Sequence, residues 1–251
     1  MTEHLVDSLW PFVQAGTGIP TEWTGKLSQR EAYDVQLAAL ARQVAAGDRH
    51  VGWKVGLTSK ATQSQFGCFE PIFGYLLESG ARPSGAEFGF TNLVRPGFEN
   101  ELCLTVGKGL RGPGVTLEQA RAAIVSVAPA LEILELRTDL TADLNLAIAD
   151  NALQTAFVTG PPLAPGVDLR EAVVDVFVNG QHKEQARGVE VLGNPVASVA
   201  WLANKLAELG RRLEAGMQVM SGSLTRFYPV DKGDHVEARF TPFGVVSARF
   251  P

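Results

Sequence analysis

Residues 98–106, with the sequence FENELCLTV, alternate between two kinds of side chain. One side of the run carries Phe98 and Leu102, and the other carries Glu99 and Glu101. A period of two is that of a β-strand, in which successive side chains point to opposite faces of the sheet. The run therefore predicts a strand with one apolar face and one face on which two carboxylates lie close together.

Outward from this strand, the first fifth of the chain predicts helix, and most of the rest predicts strands. A capping box at residues 28–31 opens a helical pattern within a region of helical character that extends from residue 1 to about residue 48. The remaining segments have strand or helix signals. Strands are predicted at residues 50–57, 98–106, 130–134 and 173–178, helices at 116–125 and 194–209, and further strands over the last 35 or so residues.

This order of elements favours an α+β fold over a regular βαβ alternation. We divide the chain into an N-terminal helical and mixed region, residues 1–80, and a β-rich core that carries the candidate site, residues 81–251, which together form one compact unit. At 251 residues the chain is long enough for one large hydrophobic core.

Composition excludes several classes of function. The net charge is -5 and the basic residues are scattered, which argues against a nucleic-acid partner. No apolar run is long enough to predict a membrane span. Two cysteines and an N-terminus without an export signal are typical of a cytoplasmic protein, which is the expected location.

The glutamates on the predicted strand are candidates for a metal site. For Glu99 and Glu101 alone, a solvated strand face is the alternative interpretation. Glu132, however, lies among apolar neighbours, where an unpaired charge is costly. Three carboxylates suit a hard divalent ion such as Mg²⁺, and they leave coordination positions for a chelating 2-oxo acid and a water molecule.

Other polar residues are weaker candidates for contact with a ligand. Lys54 lies on a strand face between two glycines, although an ordinary exposed lysine has the same local pattern. Asp150 is either a further polar contact or a helix cap. Ser221 and Ser223 flank Gly222 in what is either an anion-binding turn or a plain turn at a strand end.

Four segments together resemble a known family. The segments are VGWKVGLTSK (51–60), FENE (98–101), PALE (129–132) and ADNA (149–152). They resemble the 2-oxopent-4-enoate hydratases and 4-oxalocrotonate decarboxylases of the fumarylacetoacetate hydrolase superfamily. The resemblance implies a rolled, mostly antiparallel β core with surrounding helices and a helical N-terminal part. It also implies homo-oligomers, Mg²⁺ or Mn²⁺ held by Glu99, Glu101 and Glu132, and a substrate-contacting Lys54.

The resemblance further implies a reaction on a small 2-oxo acid. The leading hypothesis is a metal-dependent hydratase that adds water to a 2-hydroxy-dienoate or its 2-oxo-enoate tautomer, giving a 4-hydroxy-2-oxo acid in the meta-cleavage catabolism of aromatic compounds. A 2-oxo acid decarboxylase of the 4-oxalocrotonate type and a non-catalytic binding member of the family are the alternatives. A complex with another enzyme of the pathway is also compatible with the resemblance.

One position departs from the family pattern. Residues 70–74 read EPIFG, so Ile72 stands where the family usually has an aspartate. The departure leaves several interpretations open. Glu70 or a water molecule takes over proton transfer, the substrate is more apolar, or hydration is weak.

Overall fold

The structure is a computed structural model that describes residues 2–138 and 143–251. Six α-helices lie in these residues, three of them before residue 70 and three after residue 110. They are α1 (Thr2–Ala15), α2 (Gln29–Ala45), α3 (Lys60–Gln65), α4 (Leu117–Ala123), α5 (Leu144–Ala149) and α6 (Val196–Glu208). None of the helices in the described part of the chain has the length and apolar character needed to cross a bilayer.

Thirteen strands in the described residues form two sheets. They are β1 (His50–Gly56), β2 (Ile72–Leu77), β3 (Ala81–Pro83), β4 (Ala86–Glu87), β5 (Pro96–Val106), β6 (Ile124–Glu135), β7 (Gln154–Thr159), β8 (Val173–Val178), β9 (Gln181–Arg187), β10 (Gln218–Met220), β11 (Tyr228–Pro229), β12 (His235–Thr241) and β13 (Gly244–Arg249).

The larger sheet has the order β2-β1-β10-β5-β6-β7-β3, with β11 paired to β5, and the smaller has the order β4-β13-β12-β8-β9. Most neighbouring strands are antiparallel, whereas β1 with β10, β3 with β7, and β4 with β13 are parallel. The predicted α+β class and the mostly antiparallel core with surrounding helices are confirmed. Strands β1 and β2, from the N-terminal region, belong to the same sheet as β5 and β6 from the core region. The division of the chain into two regions at residue 80 therefore stays a prediction.

The larger sheet is strongly curled, and this curl positions the candidate site. Lys54 on β1 and Glu132 on β6 are three strand spacings apart, which is about 14 Å along a flat sheet. Their charged ends nevertheless lie only 3.3 Å apart, between Lys54 Nζ and Glu132 Oε1. Both side chains therefore point into the concave face of the sheet, which brings distant segments of the chain together.

Local sequence signals account for many of the observed elements. Ser28 and Glu31 form the expected capping box at the start of α2, and Thr116 and Gln119 form a second one before α4. Asn179 is the first residue of the two-residue turn between β8 and β9, where it and the following glycine both have positive φ. These predictions are confirmed because each depends on contacts within a few residues.

Three boundaries differ from the sequence predictions. The helical first fifth consists of two helices, with a non-α segment between Ala15 and Gln29. The helix predicted to run to residue 125 ends at Ala123, and β6 begins at the next residue. The backbone of β6 pairs with β5 along almost its whole length, and this pairing includes Ile124, so the helix cannot continue. The helix predicted over residues 194–209 is observed as α6, Val196–Glu208; Asn194 caps it as expected, because its side-chain oxygen accepts a hydrogen bond from Val196 N at 3.0 Å while Pro195 already has helical φ/ψ.

Candidate metal centre

Three glutamates meet on the concave face of the larger sheet. Glu99 and Glu101 are two residues apart on β5 and share a face, and Glu99 lies directly opposite Glu132 on β6. Each of the three offers a carboxylate oxygen, and these oxygens all lie within 4.8 Å of one another. Like charges in directly opposed positions destabilise a sheet. The arrangement therefore calls for a cation or for protons.

Hydrogen bonds within the described chain leave most of these oxygens unsatisfied. Glu101 and Glu132 are fully buried. Glu101 Oε2 accepts a hydrogen bond from the backbone N–H of Gly222, at 2.8 Å. Glu101 Oε1 and both oxygens of Glu132 have no hydrogen-bond partner in the described structure. Buried oxygens without donors are costly, and a metal ion is the kind of ligand that would satisfy several at once.

The protonation of the cluster leads to the same conclusion. Burial, together with the charge of Glu132, raises the pKa of Glu99 from its ordinary 4.5 to about 7. The pKa of Glu101 is raised well above its usual range, first by burial and then by the charges of Glu132 and Glu99. A bound divalent cation reverses this effect because it stabilises the ionised carboxylates. The donor set, all hard oxygens, fits Mg²⁺ or a similar ion.

Lys54 supplies the positive side chain of the site. It is only 3% exposed, and its Nζ lies 3.3 Å from Glu132 Oε1, within ion-pair distance but without the geometry of a hydrogen bond. Three ionised carboxylates, this ammonium and a divalent cation sum to zero charge. A loaded site of this kind does not repel an anionic substrate.

Two glycines make room for the lysine side chain. A methyl group on Gly74 would lie 3.2 Å from Lys54 Cε, and one on Gly56 would lie 3.5 Å from Lys54 Nζ. Gly52, the other glycine beside Lys54 in the sequence, has a different role, because a methyl group there would overlap the backbone of Gln218 on β10. The glycine pattern thus reflects close packing of the lysine and of a neighbouring strand.

Ile72 also borders the site. It pairs with Gly56 across β1 and β2, so it shares a sheet face with Lys54. A methyl group on Gly56 would lie 3.4 Å from Ile72 Cγ1 and 3.5 Å from Lys54 Nζ, which shows that the two side chains flank this glycine. Ile72 is 3% exposed. An apolar side chain therefore occupies the position beside the lysine.

The turn at residues 221–223 lies against β5 at the position of the glutamates. The Ser221 hydroxyl accepts a hydrogen bond from Leu102 N at 3.2 Å, and Ser223 Oγ donates to Asn100 O at 3.4 Å. The Gly222 N–H is engaged by Glu101, as described above, so the turn already holds a carboxylate within the chain. Contact of Ser221 and Ser223 with a substrate stays a prediction.

The structure does not group Glu70 and Asp150 with the three glutamates. Glu70 Oε1 accepts a hydrogen bond from Lys205 Nζ at 2.7 Å, on the side of helix α6. Asp150, 1% exposed, accepts hydrogen bonds from Arg137 Nε at 3.1 Å and Thr138 Oγ1 at 3.4 Å. Burial raises the pKa of Asp150 while the Arg137 guanidinium opposes the rise. The catalytic role of Glu70 and the substrate contact of Asp150 stay predictions.

Sequence reasoning considered an anion-binding turn around Gly222 but missed the contact of Thr58 with this glycine and the carboxylate that its N–H binds. Gly222 has φ of +98°, and a methyl group there would overlap the side chain of Thr58. The pairing lets Gly222 N–H reach Glu101. The only local signal was a glycine between two serines, which gives no indication that the loop after β1 packs on it.

Comparison with known proteins shows the family to which the chain belongs. The profile of the family described as fumarylacetoacetate (FAA) hydrolase C-terminal matches residues 58–250. The chain belongs to the fumarylacetoacetate hydrolase family. Individual relatives show which members of the family the chain is similar to. A 4-oxalocrotonate decarboxylase of Pseudomonas sp. (strain CF600) is 39% identical over 223 residues, covering 88% of this chain and 84% of the relative.

A second relative has a different activity in its name. A 2-hydroxypent-2,4-dienoate hydratase of Pseudomonas putida is 37% identical over 216 residues, covering 84% of this chain and 97% of the relative. Among solved structures, the 4-oxalocrotonate decarboxylase from Pseudomonas putida G7 superposes with a TM-score of 0.95 and 36% identity, covering 100% of this chain and 99% of the other. That protein was crystallised with calcium and acetate and with magnesium and adipate.

Proposed function

We propose that the protein is a divalent-metal-dependent hydro-lyase that hydrates a 2-hydroxy-dienoate or 2-oxo-enoate to a 4-hydroxy-2-oxo acid in aromatic meta-cleavage catabolism. The observation that carries the proposal is the cluster of Glu99, Glu101 and Glu132, with its unsatisfied buried oxygens beside Lys54. Relatives named as hydratases of such substrates support the choice of reaction.

We assign the three glutamates as the ligands of Mg²⁺ or Mn²⁺. When bound, such an ion supplies Lewis-acid polarisation of a substrate oxygen. The oxygen donor set supports these hard ions, and the calcium and magnesium complexes of the structural neighbour support a divalent cation in this fold. Gly222 keeps Glu101 oriented through its backbone hydrogen bond, which fixes the position of one ligand.

Lys54 has the position to pair with the substrate. Its Nζ is the positive group nearest Glu132 and lies between Gly56 and Gly74 on the concave face. In the proposal, Nζ pairs with the substrate carboxylate or donates a hydrogen bond to its 2-oxo oxygen. Ile72 is the apolar side chain that borders the lysine at this position.

Ile72 favours decarboxylation as a second candidate reaction. Hydration needs a group that moves a proton near the far end of the conjugated chain, and an isoleucine has no such proton. Loss of CO₂ breaks the bond to one of the substrate's two carboxylates and leaves the electron pair on the conjugated chain as a dienolate, which takes up one proton while the other carboxylate stays on the product. Apolar surroundings disfavour the charged carboxylate that is lost as neutral CO₂. Two relatives named 4-oxalocrotonate decarboxylase, 39% and 37% identical to this chain, support this alternative.

Two substrates distinguish hydration from decarboxylation. The protein is incubated with 2-hydroxypenta-2,4-dienoate or its carboxylated homologue, with Mg²⁺, Mn²⁺ or EDTA, while dienol absorbance and CO₂ release are followed. Metal-dependent loss of the dienol without CO₂ supports the hydratase, and CO₂ release supports the decarboxylase. Binding of oxalate in the presence of Mg²⁺ without turnover of either substrate identifies a non-catalytic binding member.

A ligand variant tests the metal site separately from turnover. We expect Glu101→Gln to abolish Mg²⁺ binding by calorimetry while circular dichroism shows an intact fold. Glu190→Gln, at an exposed position on the surface, is the matched control and should bind Mg²⁺ like the unmodified protein. Unchanged Mg²⁺ affinity in Glu101→Gln would exclude the assigned ligand role.

The proposal includes the setting in which the enzyme works. We infer a cytoplasmic homo-oligomer, and a complex with another enzyme of the pathway would allow direct transfer of the product. The family resemblance supports these inferences. Light scattering of the purified protein, alone and mixed with a candidate pathway enzyme, measures both kinds of assembly.

A further inference from the structure

Three arginines line a cavity that is separate from the three glutamates. The cavity has a volume of about 420 Å³ and lies at the start of β1, with Arg111, Arg211 and Arg212 in its walls. Glu214 is the acidic residue of the wall, and its carboxylate pairs with Arg212 Nε at 2.6 Å. The charged groups of the lining therefore leave an excess of two positive charges.

Backbone pairing explains why the arginines are adjacent. Leu110 and Leu213 form an isolated antiparallel bridge and both bury their side chains. In an antiparallel bridge, the residues next to the paired ones lie opposite each other on the other face. Arg111 and Arg212 therefore lie side by side and are both exposed. Like charges in this position repel each other, and an anion bound between them would relieve the repulsion.

An unpaired indole N–H provides a second, independent observation. Trp53 lines the same cavity and is 1% exposed, yet its Nε1 has no hydrogen-bond partner in the described structure. Because Trp53 precedes Lys54 on β1, its side chain points to the opposite face of the strand from the lysine. The cavity is thus on the reverse side of β1 from the candidate metal centre.

His50 does not add to the positive charge of the cavity. Its ring lies edge-on to Trp53, with centroids 4.5 Å apart, and Nε2 is 2.8 Å from Gly52 O, to which it donates. Burial lowers the pKa of His50, and the charge of Arg211 lowers it further, against the opposing effect of the Gly52 hydrogen bond. The arginines are accordingly the cationic groups that face a ligand.

We propose that this cavity binds a small organic anion through a phosphate or carboxylate group. Guanidinium groups bind both oxyanions through paired hydrogen bonds, and the proposal adds a hydrogen bond from the buried Trp53 Nε1–H, which has no partner in the described structure. The volume falls within the range of small-molecule sites. Met217 and the indole ring form an apolar part of the wall, which suits a carbon skeleton attached to the anionic group.

Titration calorimetry tests the proposal on the full-length protein in buffer with Mg²⁺. Inorganic phosphate and succinate are titrated at constant ionic strength, with chloride as the balancing salt. We expect saturable binding of one or both anions. The affinity should fall at least tenfold in Arg111→Gln and in Arg212→Gln, and severalfold in Trp53→Phe. Tighter binding of phosphate or of succinate identifies which of the two groups the natural ligand carries.

A charge-matched control and a size measurement complete the test. Arg249→Gln removes an exposed arginine from the smaller sheet and should leave the affinity unchanged. No saturable binding, or equal affinity in Arg111→Gln and the unmodified protein, would overturn the proposal. A change of oligomer size in Arg111→Gln, measured by light scattering, would also overturn it, because the arginines would then pair with a neighbouring subunit.

Discussion

Replacing Glu99 with glutamine should change the stability of the protein in opposite directions with and without metal. The pKa of Glu99 is raised from its ordinary 4.5 to about 7, mainly by burial and then by the charge of Glu132. Each pKa unit corresponds to about 1.4 kcal/mol. In the metal-free protein, ionised Glu99 therefore costs at most about 3 kcal/mol of folding stability.

The sign of this effect with pH follows from linkage. Below pH 4.5 the carboxyl group is protonated in both the folded and the unfolded protein, so it has no effect there. As pH rises from 4.5 to 7, the unfolded protein loses this proton while the folded protein retains it, so stability falls; above pH 7 both forms are ionised and the loss stays at its full value. We expect Glu99→Gln to stabilise the metal-free protein by about 3 kcal/mol at pH 8 and by about 1 kcal/mol at pH 5.

Bound Mg²⁺ should make the unmodified protein more stable than Glu99→Gln. Mg²⁺ at a thousand times its dissociation constant stabilises the folded protein by about 4.1 kcal/mol, which exceeds the cost of about 3 kcal/mol from ionised Glu99, and Glu99→Gln should lose most of this gain because it lacks one ligand. The assay is urea denaturation at pH 5 and pH 8, with EDTA or with Mg²⁺, using Glu190→Gln as the matched surface control. Equal stability of Glu99→Gln and the unmodified protein in EDTA at pH 8 would refute the electrostatic argument.

Three further substitutions separate the roles of neighbouring groups. Lys54→Met should abolish turnover but retain Mg²⁺ binding, since the metal ligands remain. A dienol assay measures turnover and calorimetry measures Mg²⁺ binding. Loss of both activities would show that the lysine supports the metal site itself. Ile72→Asp should raise the ratio of hydration to CO₂ release at least tenfold, with Ile72→Leu as the control, and an unchanged ratio would remove Ile72 from the choice of reaction. Arg137→Leu should destabilise the protein by about 3–5 kcal/mol in urea, because it leaves the buried Asp150 unpaired. Adding Asp150→Asn to it should restore part of the loss, and no restoration would argue against that pair as the cause.

Part of the site was predictable from short-range patterns. The period of two at residues 98–106 placed Glu99 and Glu101 on one face, and the apolar neighbours of Glu132 indicated a carboxylate that needs a partner. Capping boxes and a turn signal located several element ends. These features are local, because side-chain direction and cap hydrogen bonds depend on residues only a few positions apart.

The roles of other residues depended on the three-dimensional packing. Glu70 and Asp150 had the residue types expected of a site, yet Lys205 and Arg137 engage their carboxylates in ion pairs that no local pattern reveals. Gly222 is a similar case, because its contact with Glu101 joins segments more than a hundred residues apart. Such pairings arise from strand order and not from periodicity.

The sequence by itself determined several of the elements, among them α2, β1 and β5, and the face of β5 that carries two carboxylates, since the pleat and the helical turn translate spacing directly into direction. Only the tertiary structure decided that Lys54 meets Glu132, that Ile72 lies beside this lysine, and that Arg111 and Arg212 share a cavity. The physical reason is the curl and strand order of the larger sheet, which bring together groups from distant segments through long-range backbone pairing.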